Sequence, residues 1–305
     1  MRKTEGYAIF LILILFLIFP YEISKEAGDA LSMCLTKVIP SLFPFMVVTD
    51  ILGKRLRSDN PFFKVISKIF KISESGAFIL FSATVCGYPS GARLISEKYE
   101  NNEITKSEAN HLMLFINNCG PSFAISTVGG MMLGNVKIGG IIYLSHILSS
   151  MTIGIILSFF PPLIKKTSIK RDKIPFSKAF VASLSDSFSA VLKVTAVIVF
   201  FSAFLKIFDI FKITSYISPE FSGILKGMVE MTGGLKILSK AMIPLRIKMM
   251  FSSFLITFGG ISVFFQLKTF LKDIKIAPCI ICKVLTGFLA MLICYCITLF
   301  FNFGL

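Results

Sequence analysis

The chain has 305 residues, 54% of them hydrophobic, and a mean hydropathy of +0.80. Soluble domains are about 45–50% apolar even with glycine counted, so the composition excludes an ordinary water-soluble fold and indicates a polytopic membrane protein. The formal charge of +15 falls mostly in short loops between apolar runs, which is the placement that orients membrane proteins. It argues for an anionic inner leaflet as the partner of those loops and against nucleic acid.

The seven cysteines lie within or beside apolar runs, and Cys279 and Cys282 form a lone CxxC with no second pair or histidine set. Packing accounts for them better than zinc or redox chemistry. The chain has two histidines and no Walker, HExxH or EF-hand pattern, so no cofactor and no metal is expected. Without a nucleophile–base pair, an enzyme is not expected either.

In chain order, Met1 to Lys3 and the apolar run Ala8 to Phe19 have the form of a signal peptide. No small-x-small site follows promptly, and an uncleaved first helix is predicted. Tyr21 to Asp29, acidic on balance, reads as an outer loop. Ala30 to Leu52 is long enough to span, is bent by Pro40 and Pro44, and carries Lys37. In Gly53 to Ser75, Phe62, Phe63, Val65, Ile66, Ile69 and Phe70 alternate with lysines at helical spacing. That pattern fits a basic helix on the inner surface or a solvated basic loop.

Gly76 to Cys86 gives a helix of about 16 Å, half of the ~30 Å hydrocarbon core. The stretch GYPSGAR, Gly87 to Arg93, then turns the chain, and Ala92 to Tyr99 is a polar helix. A re-entrant hairpin is predicted, with one kinked crossing as the alternative. Thr105 to Glu108 is a capping box. The helix after it is apolar from Leu112 to Leu133 but broken at Asn117-Asn118-Cys119-Gly120-Pro121-Ser122, and Ile138 to Phe160 is an uncharged span holding His146. Lys165 to Lys178 is strongly basic and predicted inside.

The second half repeats the order. Asp186 to Phe208 is a span, Pro219 to Ile243 a hairpin around EMTGG (Glu230 to Gly234), Met249 to Leu267 a span broken at Gly259-Gly260, and Pro278 to Asn302 the last span. Lys37 matches Lys193, Gly91 matches Gly233, and Gly120-Pro121-Ser122 matches Gly260-Ile261-Ser262. Seven crossings and two re-entrant hairpins are predicted in an all-α fold with broken helices. Three crossings and a hairpin per copy place the second copy upside down, as an inverted repeat. The divisions are 1–29 (N-terminal helix and outer loop), 30–160 (first repeat), 161–181 (basic cytoplasmic linker) and 182–305 (second repeat). Lys236, Lys240, Arg246 and Lys248 fall outside in this scheme, against the charge bias.

Polar groups at membrane depth are costly and mark function. Breaks in matching positions of two halves point to a solute site, because irregular backbone there must be buried or line a cavity. Gly87, Gly91, Gly120, Gly233 and Gly260 let helices stop and backbones approach. New helix N-termini favour an anion, while Ser90, Ser122, Thr232, Ser262, Asn117 and Asn118 add neutral donors and acceptors. Arg93, Lys37 and Lys193 add positive charge, and Glu230 is the carboxylate at a tip. Close packing of glycines and serines and snorkelling of lysines are the competing structural readings. His146 reads as a hydrogen-bonded structural residue.

The segment GYPSGARLISEKYENNEITKSEANHLMLFINNCGPSFAISTVG, with LSHILS (Leu144 to Ser149) and LTKVIPSLFPF (Leu35 to Phe45), resembles the sporulation integral membrane protein YlbJ family of the nucleoside recognition or Gate domain group. The resemblance covers most of the chain and is strongest from Leu35 to Ser149. It implies two Gate-like halves similar to those of concentrative nucleoside transporters, a place in the outer forespore membrane, and passage of dipicolinate, a small aromatic dianion. The solute is accordingly expected to be a small anion, with a homo-oligomer compatible with the sequence. A non-transporting assembly protein of the spore envelope and a nucleoside-type carrier are the alternatives.

Overall fold

The computed structural model describes residues 2–55, 60–164, 174–214, 216–271 and 274–300, with side chains from residue 4 onward. Arg57 and most of the basic loop, 165–173, lie outside the described residues. Among the described residues all regular structure is helical, and the protein is an all-α polytopic membrane protein.

Helix α1 (Arg2–Ile18) bends at Pro20 into α2 (Pro20–Met33), which runs through a π-helical turn (Cys34–Val38) into α3 (Ile39–Arg55). The whole, Pro20–Arg55, is one 36-residue helix. The predicted outer loop Tyr21 to Asp29 is therefore helical. Pro20 sits at the first position, where its missing N–H does no harm, and Glu22 complements the helix dipole in the first turn. Acidity marked this stretch as leaving the membrane but said nothing against helix.

Helix α4 (Pro61–Phe70) starts at Asn60, whose side chain accepts the Phe62 N–H at 2.9 Å, and turns 95° into α5 (Glu74–Cys86). Of the two readings for this segment the helix is correct. Phe63 and Phe70 face the protein, whereas Phe62, Val65 and Ile69 face outward beside exposed lysines.

Helices α5 and α6 (Ser90–Glu100) form the first hairpin, each arm shorter than the ~30 Å core. Helix α7 (Lys106–Met113) is capped by Thr105, which accepts the Glu108 N–H at 3.0 Å. The capping box is only half made, because the Glu108 carboxylate turns away to accept the Ser73 N–H at 2.7 Å. Burial there holds the Glu108 carboxyl above its ordinary range. Non-helical residues follow α7, then a π-helical segment (Phe123–Met132) and the span α8 (Val136–Leu157).

The second set begins with α9 (Phe176–Ile210), a 35-residue helix. The hairpin α10 (Pro219–Val229) and α11 (Met231–Lys240) follows, then α12 (Leu245–Phe258), a break at Gly259, α13 (Gly260–Lys268), and α14 (Ala277–Phe300). The order of long helix, hairpin, broken helix and span thus recurs. The two long helices pack antiparallel: Glu26 pairs with Lys206 (3.8 Å) near one end, and Lys54 with Asp186 (2.8 Å) near the other. Opposed leading helices are what an inverted second copy requires.

Seven crossings were expected; among the described residues five helical units are long and apolar enough to span. The other two expected crossings are the short apolar Thr4–Ile18 and the stretch containing Phe123–Met132. In the latter the Asn117 to Ser122 interruption divides the apolar run, so neither piece reaches across alone. One continuous core, from Cys34 to Cys294, fills the space between the two sets.

Candidate functional site

Each hairpin tip docks on the break of the broken helix in its own set. At the first tip Gly87 has φ +84°, and a Cβ there would stand 2.9 Å from the Gly120 Cα, so only glycine permits this approach. At the second, Gly260 has φ +83°, and its Cβ would meet Gly227 O at 2.9 Å. The two tips are joined to the opposite sets as well. Tyr88, at the first tip, donates its hydroxyl to Ile256 O, in the last turn of α12, and packs against Met231 Sδ at 3.6 Å at the second tip. His146 of α8 bridges both breaks: Nε2 accepts the Cys119 N–H at 2.9 Å, and Nδ1 lies 2.9 Å from Thr257 Oγ1.

A small cavity lies between these parts. It is lined by Val38 and Leu42 of the first long helix, Val194 and Ile198 of the second, Tyr88, Glu230, Met231 and Thr232 at the tips, and Cys119, Gly120, Phe123, Val263 and Gln266 at the breaks. The lining falls into matched positions of the two sets. Under the pairings of Lys37 with Lys193, Gly91 with Gly233 and Gly120 with Gly260, Val38 corresponds to Val194, Leu42 to Ile198, Tyr88 to Glu230, and Phe123 to Val263. The cavity therefore sits where the two sets of helices meet. About 30 Å³ is open, room for ordered water but far below the ~300–1,000 Å³ of a pocket that encloses a drug-sized ligand.

Of the residues singled out from sequence, Gly120, Glu230 and Thr232 line this cavity. Gly87, Ser90 and Gly91 are buried at the first tip, Asn117 and Asn118 are buried at the first break, and Gly260 and Ser262 at the second; Ser122 is half-buried. Gly233 is half-buried with only the Glu230 carboxylate near its would-be Cβ, at 3.2 Å. The close approach expected of it belongs to its neighbour Gly234, whose Cβ would fall 2.6 Å from Gly223 O. Lys37 is half-buried, and Lys193 is exposed with its ammonium 4.8 Å from the Phe270 ring centre; neither lines the cavity. Arg93 is engaged by the buried Asp50 and, at 3.8 Å, by Glu97.

The two helix N-termini at the tips differ. Glu230 caps α11 itself, accepting Thr232 N–H at 3.0 Å and Gly233 N–H at 2.6 Å, so the positive end of that helix already holds a carboxylate. The corresponding residue in the first hairpin is Tyr88, and α6 has no side-chain cap. Sequence reasoning missed Tyr88, Asp50 and Lys283. Lys283 is fully buried in α14, 3.3 Å from Asn118 Oδ1, which also accepts from Ser150 Oγ at 2.6 Å. Its signal was plain: it is the one charge within Ala277–Phe300, though a lysine near a span's start is usually taken to snorkel.

No family model matches the chain, and no solved structure matches it. The chain is similar to the sporulation integral membrane protein YlbJ of Bacillus subtilis (strain 168), with 26% identity over 313 aligned residues that cover 88% of this chain and 74% of that protein. The alignment takes in most of this chain, which over that length is similar to a sporulation integral membrane protein.

Proposed function

We propose that this membrane protein acts in sporulation as a carrier or facilitator of a small organic anion, with dipicolinate in the outer forespore membrane as the solute. The observation that carries the reading is the meeting of two short hairpins and two helix breaks around one cavity, lined by matched residues of the two copies. Broken helices at membrane depth are tolerated where they enclose a site, and carriers place that site between repeats. An anion is favoured over a neutral solute because the N-terminus of α6 has no internal carboxylate, unlike α11. At about 30 Å³ the cavity is too small for the solute, so the solute enters when a hairpin parts from its break, without covalent chemistry. The similarity to a sporulation integral membrane protein of Bacillus subtilis supports the setting.

The test is uptake into proteoliposomes. Saturable entry of labelled dipicolinate, competed by unlabelled dipicolinate and not by uridine, is expected. Flux no greater than in protein-free liposomes overturns the reading in favour of a partner-binding assembly protein, and competition by uridine favours a nucleoside-type carrier.

A further inference from the structure

Among the described residues, the cations buried in this protein are matched with carboxylates, with one exception. Lys98 pairs with Glu103 at 3.1 Å, Lys226 with Asp209, and Arg93 with Asp50. Lys283 is 0% exposed and has no carboxylate partner. A lysine near the start of a span ordinarily extends its head to the interface; this one instead turns inward to Asn118 at the first break. A lone buried charge in a bilayer-spanning helix costs several kcal/mol unless a counter-charge meets it.

The surroundings are rich in donors. An ammonium has three N–H donors, of which one finds an acceptor here. Asn118 Oδ1 is shared between Lys283 and Ser150, its Nδ2 has no acceptor, and both polar atoms of the fully buried Asn117 are unpartnered. Buried polar groups in native proteins are nearly always satisfied, and the free donors here, on the Lys283 ammonium and on Nδ2 of Asn117 and Asn118, match an acceptor-rich, negatively charged group. The cluster adjoins the cavity, because Cys119 and Gly120, the next residues after Asn118, form part of its wall.

We infer that Lys283, with the side-chain amides of Asn117 and Asn118, forms a carboxylate-binding subsite that opens onto the cavity when the first tip separates from Gly120. This rests on reading the cavity as a solute path. Lys283 supplies the counter-charge, and the asparagines hold the carboxylate oxygens. Arg93, Lys37 and Lys193 do not take this part, the first being paired already and the others lying away from the cavity.

The experiment is thermal unfolding of the detergent-solubilised full chain with pyridine-2,6-dicarboxylate, its uncharged dimethyl ester, or uridine. The parent should be stabilised by the dianion alone. Lys283→Met should unfold at a higher temperature than the ligand-free parent, since it removes an unmatched charge, and should bind the dianion about 10- to 100-fold more weakly, as for loss of a charged hydrogen bond. Asn118→Asp, which supplies an internal carboxylate, should likewise raise the unfolding temperature and abolish the response, so the test survives if Lys283→Met does not fold. Undiminished response to the dianion in either variant overturns the subsite and leaves the anion-carrier reading standing. A parent stabilised by the ester or uridine instead, or by none of the three, overturns both.

Discussion

Asp50 and Arg93 form a largely buried ion pair between α3 and α6, the half-buried guanidinium donating from Nη2 to Oδ1 of the buried Asp50. Lys54 lies 3.5 Å from the other oxygen of Asp50 and 2.8 Å from Asp186, so the first hairpin and both long helices share one charged network. Removing one partner of a buried pair strands the other's charge and costs about 3–5 kcal/mol, whereas exchanging both for apolar residues is often neutral. Arg93→Met and Asp50→Leu are each expected to destabilise in that range, Arg93→Met less because Lys54 remains beside Asp50. The double variant Asp50→Leu/Arg93→Met should recover most of the loss. Chemical or thermal unfolding in detergent, arranged as a double-mutant cycle, checks this; simple addition of the two single losses would mean that the pair is not coupled.

The hairpin glycines separate by neighbour. A Cβ on Gly234 would run into the backbone of Gly223 and Gly227, whereas one on Gly233 meets only a carboxylate oxygen at 3.2 Å. Gly234→Ala should therefore lose about 1–3 kcal/mol, the usual range for overpacking, and Gly233→Ala about 1 or less. Equal unfolding temperatures for the two variants would show that α10 and α11 are not packed this closely in the bilayer.

The two ion pairs of the antiparallel long helices are separated by about 40 Å along the first helix and about 30 Å along α9, at ~1.5 Å per residue. These pairs therefore mark opposite faces of the membrane. In a variant without native cysteines, Ser24→Cys is expected to react with an impermeant thiol reagent in intact cells, and Lys64→Cys only after permeabilisation. The reverse pattern would invert the orientation deduced from the basic loops.

Much of this architecture was legible. Hydropathy gave the long spans, and glycine clusters gave both hairpin turns and the break at Gly259. Under the register between halves, the cavity wall holds both Val38 and its match Val194, and both Leu42 and Ile198. Other features depend on tertiary contacts that local pattern does not encode. Acidic residues in Tyr21 to Asp29 look the same on a loop or a solvated helix. Asp50 reads as the end of a span until α6 brings Arg93 against it. Lys283 reads as a snorkelling lysine until Asn118 is placed beside it, and the Gly233–Gly234 choice turns on which face of α11 meets α10.

His146 has a mechanical consequence. Its Nε2 accepts a backbone proton from Cys119, so the ring's own proton resides on Nδ1 and is donated to Thr257, whose hydroxyl in turn donates to Ser253 O at 2.6 Å. Both breaks are thus pinned to one imidazole in one tautomer, and neither can shift alone without stranding a buried polar atom. The two breaks and α8 are thereby coupled as one unit, and the first hairpin meets that unit where Gly87 approaches Gly120 and where the Tyr88 hydroxyl donates to Ile256 O.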